Sequence, residues 1–340
     1  MSNQTRLVLD NLTIGYRDKR VAGPLSAELR SGELTSLLGQ NGAGKSTLLR
    51  TIANFIQPLE GRVLIDGRGV SQLGERELSK LVGVVLTERF NIPDMTVYEM
   101  VATGRSPFTG FWGSCSKADR EIIEHSIELA GIAALRERLI DSLSDGERQK
   151  VMIAKVLAQR TPIIILDEPT AFLDFPSKVD LMNLLHKISR EEHKTIFISS
   201  HDLELALQMS DRLWLIDKSK GLSCGIPEDL SLTGVLGGFF AERGVTFDSE
   251  SGLFRVTNKF DYSIRLTGHG RKFSMVRKAL NRNRIEASGK IDSPSVIDCG
   301  DSSSLNLTVR LSGEPEVVVT SVEAMLELVK AYFQTHRSSQ

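Results

Sequence analysis

The part of the sequence most suited to chemistry is a glycine-rich loop with the letters GQNGAGKST, residues 39–47. A continuous apolar run, residues 34–38, precedes the loop, and apolar residues at helical spacing follow it at Leu48, Leu49 and Ile52. This order predicts a strand, a loop and a helix, which is the context that a phosphate-binding P-loop requires. A glycine-rich loop can also be a simple tight turn, but the complete spacing with lysine and serine favours the P-loop.

The chemistry predicted for this loop is the binding of a nucleoside triphosphate. Gly42 and Gly44 allow the backbone to turn its N–H groups toward the phosphates, and the following helix directs the positive end of its dipole at them. We expect Lys45 to reach the β- and γ-phosphates and Ser46 to offer its hydroxyl to Mg²⁺. The loop residues predicted to bind the nucleotide are Gly39, Asn41, Gly42, Gly44, Lys45, Ser46 and Thr47.

Two adjacent carboxylates, Asp167 and Glu168, follow a second apolar run at residues 163–166. A buried strand of this kind delivers them to the carboxyl edge of a sheet, where α/β proteins bind ligands. Phosphoryl transfer needs mainly positioning and charge neutralisation, so we predict that Asp167 holds Mg²⁺ through water. We predict that Glu168 is the catalytic base, which orients and deprotonates the attacking water.

The composition is that of an ordinary globular protein. The 340 residues are 41% hydrophobic and 25% charged, with a formal net charge of −1, and this balance speaks against electrostatic binding to nucleic acid. No leader-like segment begins the sequence, and no apolar stretch approaches the roughly 20 residues that cross a bilayer, so we expect a cytoplasmic chain. Three dispersed cysteines, Cys115, Cys224 and Cys299, predict reduced thiols.

The elements that must position the candidate residues form an α/β core. An alternating segment at residues 6–16 predicts a half-exposed antiparallel strand, which opens a small β subdomain. β-Branched runs at residues 82–86, 163–166 and 195–199 have helical segments between them, as expected for a buried parallel sheet. From about residue 93 to residue 160 the pattern is helical, which predicts a helical subdomain inserted in the sheet.

The character of the sequence changes after Ile216, where Gly- and Ser-rich segments begin. Strand-like stretches such as YSIRLTG and LNLTVRLSG reappear beyond Phe254. We therefore predict a catalytic cassette in residues 1–225, a linker in residues 226–254, and a small α+β accessory or regulatory domain in residues 255–340.

A further motif, the letters LSDGE at residues 143–147, precedes a helical stretch at residues 148–159. It resembles the LSGGQ signature of the ABC ATPase family, and the order of P-loop, signature, acidic strand and histidine is the order of that family. The resemblance covers about residues 6–218. It implies a P-loop NTPase fold with a parallel-sheet core, an antiparallel β subdomain and an inserted helical subdomain. It also implies an ATPase whose hydrolysis of ATP, with Mg²⁺, is coupled to transport across a membrane.

The resemblance assigns the signature to a site shared between two copies of the chain. Ser144, Gly146 and Glu147 would form an anion site at a helix N-terminus, which completes the nucleotide pocket of the second copy. Ser144 can also be the N-cap of the helix that follows, and both roles can hold at once. ATP would then join two cassettes into a dimer.

Three single residues also match the family. Tyr16 matches the aromatic residue that stacks on adenine, with a tyrosine simply packed in a sheet as the alternative. His201, in ISSHDL after a predicted strand, matches the histidine that contacts the γ-phosphate. Asp174, in AFLD, matches the aspartate that crosses the dimer interface.

The sequence departs from the family pattern at two places. Where the family usually has a glutamine after the strand at residues 82–86, this chain has Thr87 and Glu88, and either could supply an oxygen to Mg²⁺. In the signature, Asp145 and Glu147 replace a glycine and a glutamine. Asp145 must turn away from the γ-phosphate if the dimer is to close.

The segment TVYEMVATGRSPFTGFWG resembles the ATPase subunits of bacterial importers for iron chelates, haem and cobalamin. The resemblance implies permease subunits on separate chains, a substrate-binding protein, and a place on the inner face of the cell membrane. A soluble ABC factor that acts on ribosomes or DNA would usually have a second cassette or long heptad arms, which this chain lacks. A purely regulatory nucleotide-binding module would need a damaged catalytic centre, whereas Glu168 and His201 are both present.

Overall fold

The structure of the protein is a computed structural model that describes residues 4–86, 94–109, 114–240, 245–248, 253–256, 259–300 and 305–336. The chain forms two compact units. The first comprises Met1–Phe239 with Phe247–Leu253, and the second comprises Phe240–Thr246 with Phe254–Gln340. Each unit has its own apolar core.

The centre of the first unit is a six-stranded sheet. Its strands are β3 (Leu34–Gly39), β6 (Val82–Val85), β7 (Ile163–Leu166), β8 (Thr195–Ser200), β9 (Arg212–Asp217) and β10 (Gly221–Gly225). Their order across the sheet is β10, β9, β3, β8, β7, β6, and all neighbours are parallel except the pair of β9 and β10. Every residue of β7 and β8 is buried, as continuous apolar strands covered on both faces require. The predicted α/β core is confirmed.

A second sheet of the first unit is antiparallel, as predicted. It contains β1 (Thr5–Tyr16), β2 (Lys19–Arg30), β4 (Glu60–Ile65) and β5 (Arg68–Gly69), in the order β2, β1, β4, β5. The alternation of buried residues on β1 changes phase between Leu9 and Leu12, because a register shift there is accompanied by Asn11 at a φ of 49°. The buried face of this sheet shares one apolar core with α1 (Lys45–Ile52), the helix after the P-loop.

A helical subdomain follows β6, as predicted. Its longer helices are α3 (Val97–Ala102), α4 (Lys117–Leu129) and α5 (Asp145–Ala158), and a short α2 (Glu75–Leu78) precedes β6. Helix α5 begins at Asp145, three residues before the predicted start at residue 148. The reason is a capping box in which Ser144 and Glu147 satisfy each other's backbone N–H groups, so the first turn forms at the signature itself.

Gly104 and Arg105, the GR of the segment TVYEMVATGRSPFTGFWG, have a structural role inside this subdomain. A Cβ atom at Gly104 would lie 2.1 Å from the backbone oxygen of Lys155, so only glycine allows this close approach. Arg105 Nε lies 2.8 Å from Asp119 Oδ1, and Arg105 also donates a 2.8 Å hydrogen bond to the backbone oxygen of Ala158. The motif therefore fastens α3 and α4 to the C-terminal end of α5.

The remaining helices of the first unit are α6 (Phe175–Glu191), α7 (Leu203–Met209), α8 (Pro227–Leu232) and α9 (Val235–Phe240). The last two lie in residues 226–254, the stretch predicted as a linker, and they bury Leu230, Leu236 and Phe239. Part of this stretch is therefore helical and contributes apolar residues to a core, while the linker and the exact domain boundaries stay predictions. No helix of the described ranges combines the length and apolar character needed to cross a bilayer.

The second unit is an α+β arrangement built on a five-stranded sheet. Its strands are β13 (Tyr262–Thr267), β14 (Ile285–Ser288), β15 (Val296–Asp298), β16 (Leu307–Arg310) and β17 (Val317–Val319). They lie in the order β14, β13, β15, β16, β17, with β13 parallel to both of its neighbours. Helices α10 (Gly270–Arg282) and α11 (Val322–Thr335) contribute apolar residues to the core of this sheet. A separate two-stranded sheet joins β11 (Val245–Asp248) and β12 (Leu253–Val256).

Candidate nucleotide-binding site

The glycine-rich loop joins β3 to α1 and depends on left-handed backbone at two glycines. Gly42 has a φ of 74° and Gly44 a φ of 104°, which side chains rarely tolerate. A Cβ atom at Gly44 would also lie 2.9 Å from the side chain of Val21 on β2, so this glycine is needed for packing as well. The loop consequently reaches the start of α1 with its backbone turned as a P-loop requires.

The lysine of the loop is held by the backbone of the loop itself. Lys45 Nζ donates hydrogen bonds to the backbone oxygens of Gly39 at 3.0 Å and Gln40 at 3.2 Å, and the residue is only 6% exposed. A buried ammonium requires such acceptors, because an unpaired charge is costly away from water. The amine is therefore fixed beside the N-terminus of α1, where a phosphate oxygen could accept a hydrogen bond from it in place of, or in addition to, these carbonyl oxygens.

Strand β7 delivers the two carboxylates to the same edge of the sheet. Asp167 follows the strand and is 7% exposed, and Glu168 has a φ of 49°, an uncommon value for a residue with a side chain. Such strained backbone is often found at functional sites, because it aims a side chain that a relaxed strand end would not. The strand thereby buries one carboxylate and turns the next one outward.

Ser199, on the neighbouring strand β8, was not predicted as a site residue. Its hydroxyl donates a 2.6 Å hydrogen bond to Asp167 Oδ1 and accepts a 2.8 Å hydrogen bond from the backbone N–H of Glu168. The residue is fully buried, so these bonds fix the two carboxylate residues relative to each other. The only signal in the sequence was its place in ISSHDL, two residues before the predicted histidine.

The histidine after β8 meets the carboxylate after β7. His201 Nε2 lies 2.5 Å from Glu168 Oε1, and their side chains are 44% and 30% exposed. Both groups can therefore reach a ligand while they contact each other. A carboxylate paired with an imidazole in this way can orient a water molecule and accept its proton.

These residues surround one cavity of about 490 Å³. The cavity is lined by Tyr16, Val21, Asn41, Gly42, Gly44, Lys45, Ser46, Thr47, Glu168 and His201. All of these except Val21 were predicted, and Val21 lies on β2, which the sequence analysis did not connect with the site. Gly39 and Asp167 adjoin the cavity through the Lys45 hydrogen bond and the chain connection to Glu168.

Tyr16 stands at the end of β1 and is 47% exposed. Thr47 Oγ1 donates a 3.3 Å hydrogen bond to its phenolic oxygen, which links the ring to the P-loop helix. A tyrosine simply packed in the sheet would be more deeply buried. Its ring is therefore available at the cavity for stacking on a flat, aromatic ligand.

The signature residues Ser144, Gly146 and Glu147 do not line this cavity. Ser144 is the N-cap of α5, as the alternative interpretation proposed, and its hydroxyl and backbone N–H lie 2.9 Å and 2.8 Å from Glu147 Oε2. Hydrogen bonds from the backbone and then the hydroxyl of Ser144 lower the pKa of the Glu147 carboxyl. The N-terminus of α5 thus already carries a carboxylate, whereas the family has a neutral glutamine there.

Asp174 also lies outside the cavity lining. It caps α6, where its carboxylate accepts a 3.0 Å hydrogen bond from the backbone N–H of Ser177, and hydrogen bonding by Ser177 lowers the pKa of this carboxyl. Two aromatic residues beside it, Phe172 and Phe175, are 70% and 65% exposed. Large apolar side chains grouped at a surface are typical of a protein interface.

The two candidates for the missing glutamine, Thr87 and Glu88, lie outside the described residues. The preceding strand β6 is an edge strand beside β7, the strand that Asp167 follows. Their assignment as metal ligands therefore stays a prediction.

Comparison with known proteins agrees with this geometry. The family model described as ABC transporter matches residues 22–171. An ABC transporter ATP-binding protein of Methanocaldococcus jannaschii is 38% identical over 252 residues, which are 74% of this chain and 87% of that protein. The ferric enterobactin transport ATP-binding protein of Escherichia coli is 36% identical over 66% of this chain and 83% of its own length.

Solved structures of ABC proteins have the same fold. A putative metal-chelate type ABC transporter in an inward-facing conformation has a TM-score of 0.61 at 23% identity, over 70% of this chain and 90% of that one. A dimeric bacterial ABC transporter cassette has a TM-score of 0.57 at 28% identity, over 65% of this chain and 98% of the cassette. The sequence relatives and the shared fold together show that this chain belongs to the ATP-binding subunits of ABC transporters, which are enzymes that bind and hydrolyse ATP.

Proposed function

We propose that this chain powers the import of an iron–siderophore or a related metal chelate by hydrolysing ATP beneath separate membrane permease subunits. The observation that supports catalysis is the single cavity that gathers Lys45, Glu168 and His201. Support for the substrate class comes from relatives named as transport proteins for ferric enterobactin, petrobactin and iron(3+)-hydroxamate, at 34 to 36% identity.

In this proposal each residue of the cavity has a defined role. Tyr16 stacks on the adenine, and the P-loop residues hold the phosphates with Lys45 at the β- and γ-positions. Glu168 orients and deprotonates the attacking water, while His201 contacts the γ-phosphate and steadies the Glu168 carboxylate. The remaining P-loop contacts come from Gly39, Asn41, Gly42, Gly44, Ser46 and Thr47.

The oxygen donors at this sheet edge fit Mg²⁺. Ser46 lines the cavity with a hydroxyl, and Asp167 is held with one carboxylate oxygen on Ser199. Within the described ranges no cluster of three or more His, Cys, Asp or Glu residues could form an all-protein cage, which agrees with an ion that relies on substrate phosphates. When bound, the ion neutralises the charge that develops on the transferring phosphoryl group. Thr87 and Glu88 remain further candidate ligands.

We further propose that two copies of the chain share each nucleotide. Ser144, Gly146 and Glu147 of one copy complete the cavity of the other, and Asp174 crosses between the copies. The exposed Phe172 and Phe175 beside Asp174 support a protein interface at this surface. Dimeric cassettes among the similar structures support the same arrangement.

The shared site can be tested by mixing two inactive variants. Lys45→Ala removes the phosphate-binding lysine, and Ser144→Arg blocks the signature. Each homodimer should be inactive, whereas a mixture should regain activity, because one composite site in the mixed dimer keeps both an intact P-loop and an intact signature. No recovery on mixing, with both variants folded and a wild-type rate proportional to concentration throughout, would contradict the shared site.

Import is tested in cells that depend on this chain. Uptake of iron-loaded catecholate and hydroxamate siderophores and of cobalamin should be compared between wild type and Glu168→Gln. We expect uptake of one of these chelates to be lost while the variant protein remains at normal levels. Unchanged uptake of all of them, despite loss of ATP hydrolysis in the purified variant, would contradict the import function and favour a soluble ABC factor.

Residues 255–340 complete the proposal as an accessory or regulatory domain. The cavity is lined entirely by residues before 202, and the second unit has its own apolar core. A chain truncated after Gly252 should keep its affinity for ATP and change either dimer stability or the response of transport to substrate. Loss of nucleotide binding by a truncated protein that remains folded would show that the boundary is wrong.

A further inference from the structure

Lys178 and Asp202 form an ion pair between the segments that follow two neighbouring strands, β7 and β8. Lys178 lies in the first turn of α6, and Asp202 directly follows His201. Lys178 Nζ lies 3.1 Å from Asp202 Oδ2, and the two side chains are 27% and 21% exposed. A pair that is largely withdrawn from water is screened less than an exposed pair, so this contact can hold its two segments together.

Asp202 is anchored at three points. One carboxylate oxygen accepts a hydrogen bond from the Lys178 ammonium. The other oxygen accepts a 3.3 Å hydrogen bond from the backbone N–H of Leu205 and thereby caps α7. The backbone N–H of Asp202 donates a 3.0 Å hydrogen bond to Ser200 Oγ. The peptide between His201 and Asp202 is therefore fixed, and this peptide sets where the imidazole of His201 points.

Lys178 is equally tied to the loop of Asp174. The backbone N–H of Lys178 donates a 3.0 Å hydrogen bond to the backbone oxygen of Asp174, so the two residues belong to one helical turn. A cation in the first turn of a helix is disfavoured by the helix dipole. The pairing with Asp202 offsets that cost, which explains how a lysine is tolerated at this position.

We propose that the Lys178–Asp202 pair is a positioning element, which holds His201 against Glu168 and links it to the Asp174 loop. The inference rests on the proposed function, because it acts through His201 and through the loop assigned to the partner interface. Neither Lys178 nor Asp202 lines the cavity, so the pair would act on hydrolysis only through the position of His201.

The main variant is Lys178→Met in the 340-residue chain, a change that keeps the length of the side chain and removes its charge. We expect kcat to fall by about 10- to 100-fold, since a small misplacement of a catalytic group has effects of this size. KM for ATP should change by less than about threefold, because the P-loop contacts are unaffected. Lys178→Arg should restore most of kcat.

Lys187→Met is the matched control. It removes a lysine from the same helix, where Lys187 forms an exposed pair with Glu191 at 3.8 Å. We expect its kcat to equal that of the wild type. If Lys178→Met does not fold, Asp202→Asn replaces it, because asparagine keeps an oxygen to cap α7, and the same loss of kcat is expected.

A double variant distinguishes positioning from a general structural role. In a His201→Ala background, Lys178→Met should cause less than about threefold further loss of kcat, because residues that act as one unit are not additive. An equal loss in both backgrounds, or a kcat for Lys178→Met within about twofold of wild type, would overturn the inference. Wild-type protein that neither hydrolyses ATP nor dimerises with it would instead contradict the proposed function, and the inference with it.

Discussion

Two places in the molecule have the same local plan, a parallel strand followed by a glycine-containing turn and a helix. In the first unit β3 leads through the P-loop to α1, and in the second unit β13 leads through Gly268 and His269 into α10, which begins at Gly270. The P-loop has five residues between strand and helix, whereas β13 and α10 are separated by two. Only the longer loop has enough backbone to curve around a phosphate group.

The neighbouring strands also differ. Beside the P-loop, Glu168 and His201 follow the ends of two strands of the same sheet, and both line the cavity together with residues of the loop. Beside α10, the carboxylate of Asp298 accepts a 2.7 Å hydrogen bond from Thr267, and Lys272 Nζ donates a 3.2 Å hydrogen bond to the backbone oxygen of Asn306. A strand, a glycine turn and a helix therefore make a site only when adjacent strands supply groups that face the ligand.

The largest expected difference concerns the strand-end carboxylates. Glu168→Gln should abolish turnover, by about 10²- to 10⁴-fold, because it removes the base and keeps the phosphate contacts. Asp298→Asn, at the end of β15, should leave ATP hydrolysis unchanged. Steady-state hydrolysis and ATP binding measured for both variants test this contrast. Hydrolysis by Glu168→Gln within a few-fold of wild type would show that Glu168 is not the base.

The first-turn lysines give the next contrast. Lys45→Ala should reduce kcat/KM for ATP by at least about 100-fold, because it removes a preorganised charge at the phosphates. Lys272→Ala removes the corresponding lysine of α10 and should leave kcat/KM unaltered. The measurement is ATP hydrolysis over a range of ATP concentrations. An equal loss of kcat/KM in both variants would mean that the lysine of α1 has no greater role in ATP hydrolysis than the lysine of α10.

Ser199 hydrogen-bonds Asp167 and Glu168 but does not line the cavity, so its substitution tests an indirect contribution to ATP hydrolysis. Ser199→Ala leaves Asp167 Oδ1 and the Glu168 N–H without their shared hydroxyl, and it should lower activity by about 10- to 100-fold. The control is Ser36→Ala, which removes another buried hydroxyl of the same sheet, bonded at 2.6 Å to Ser210. Mg²⁺ dependence of hydrolysis should shift in Ser199→Ala alone. Equal rates of ATP hydrolysis for the two variants would show that Ser199 does not support catalysis.

The smallest effect is expected at Thr267 and Asp298 of the second unit. Here too a hydroxyl donates a hydrogen bond to a carboxylate, but the bond stabilises the fold and serves no catalytic site. Hydrogen bonds from Thr267 and then from the Gly300 backbone N–H lower the pKa of Asp298. A lowered folded-state pKa contributes stability that is present above the unfolded pKa near 4 and is lost as the pH falls through the folded value. Thr267→Val should therefore destabilise the second unit by about 1 kcal/mol at pH 7, with a smaller difference near pH 3.

Hydrogen exchange of β13 and β15 in Thr267→Val and wild type, compared at each pH, measures this difference. ATP hydrolysis should be the same in both proteins. A destabilisation that persists undiminished at pH 3 would show that the ionised carboxylate is not its cause.

Much of the site could be predicted from the sequence, because the information is local. The spacing of Gly42, Gly44 and Lys45 specifies a loop conformation within a few residues, and the apolar run before Asp167 specifies a buried strand that ends at those carboxylates. Ser144 was predicted as a possible N-cap of α5, but the reciprocal bond from Glu147, three residues later, was not, although their spacing is that of a capping box. The helix was therefore predicted to start only at residue 148. The segment TVYEMVATGRSPFTGFWG was identified by resemblance, and the structure explains its Gly104 and Arg105 by packing.

Other features arise only when distant segments meet in three dimensions. Ser199 contacts Asp167 from 32 positions away in the chain. Val21 lines the cavity from the antiparallel sheet. Lys178, in the helix after β7, pairs with Asp202, which lies after the neighbouring strand β8. A buried serine, a valine or a lysine in a helix has no local pattern that distinguishes it from many others in the chain. Residue types and their local spacing were enough to indicate which groups could do chemistry and on which elements they lie. The supporting groups are visible only in the folded protein, because the order of strands in the sheet, and not their order in the chain, sets which side chains are neighbours.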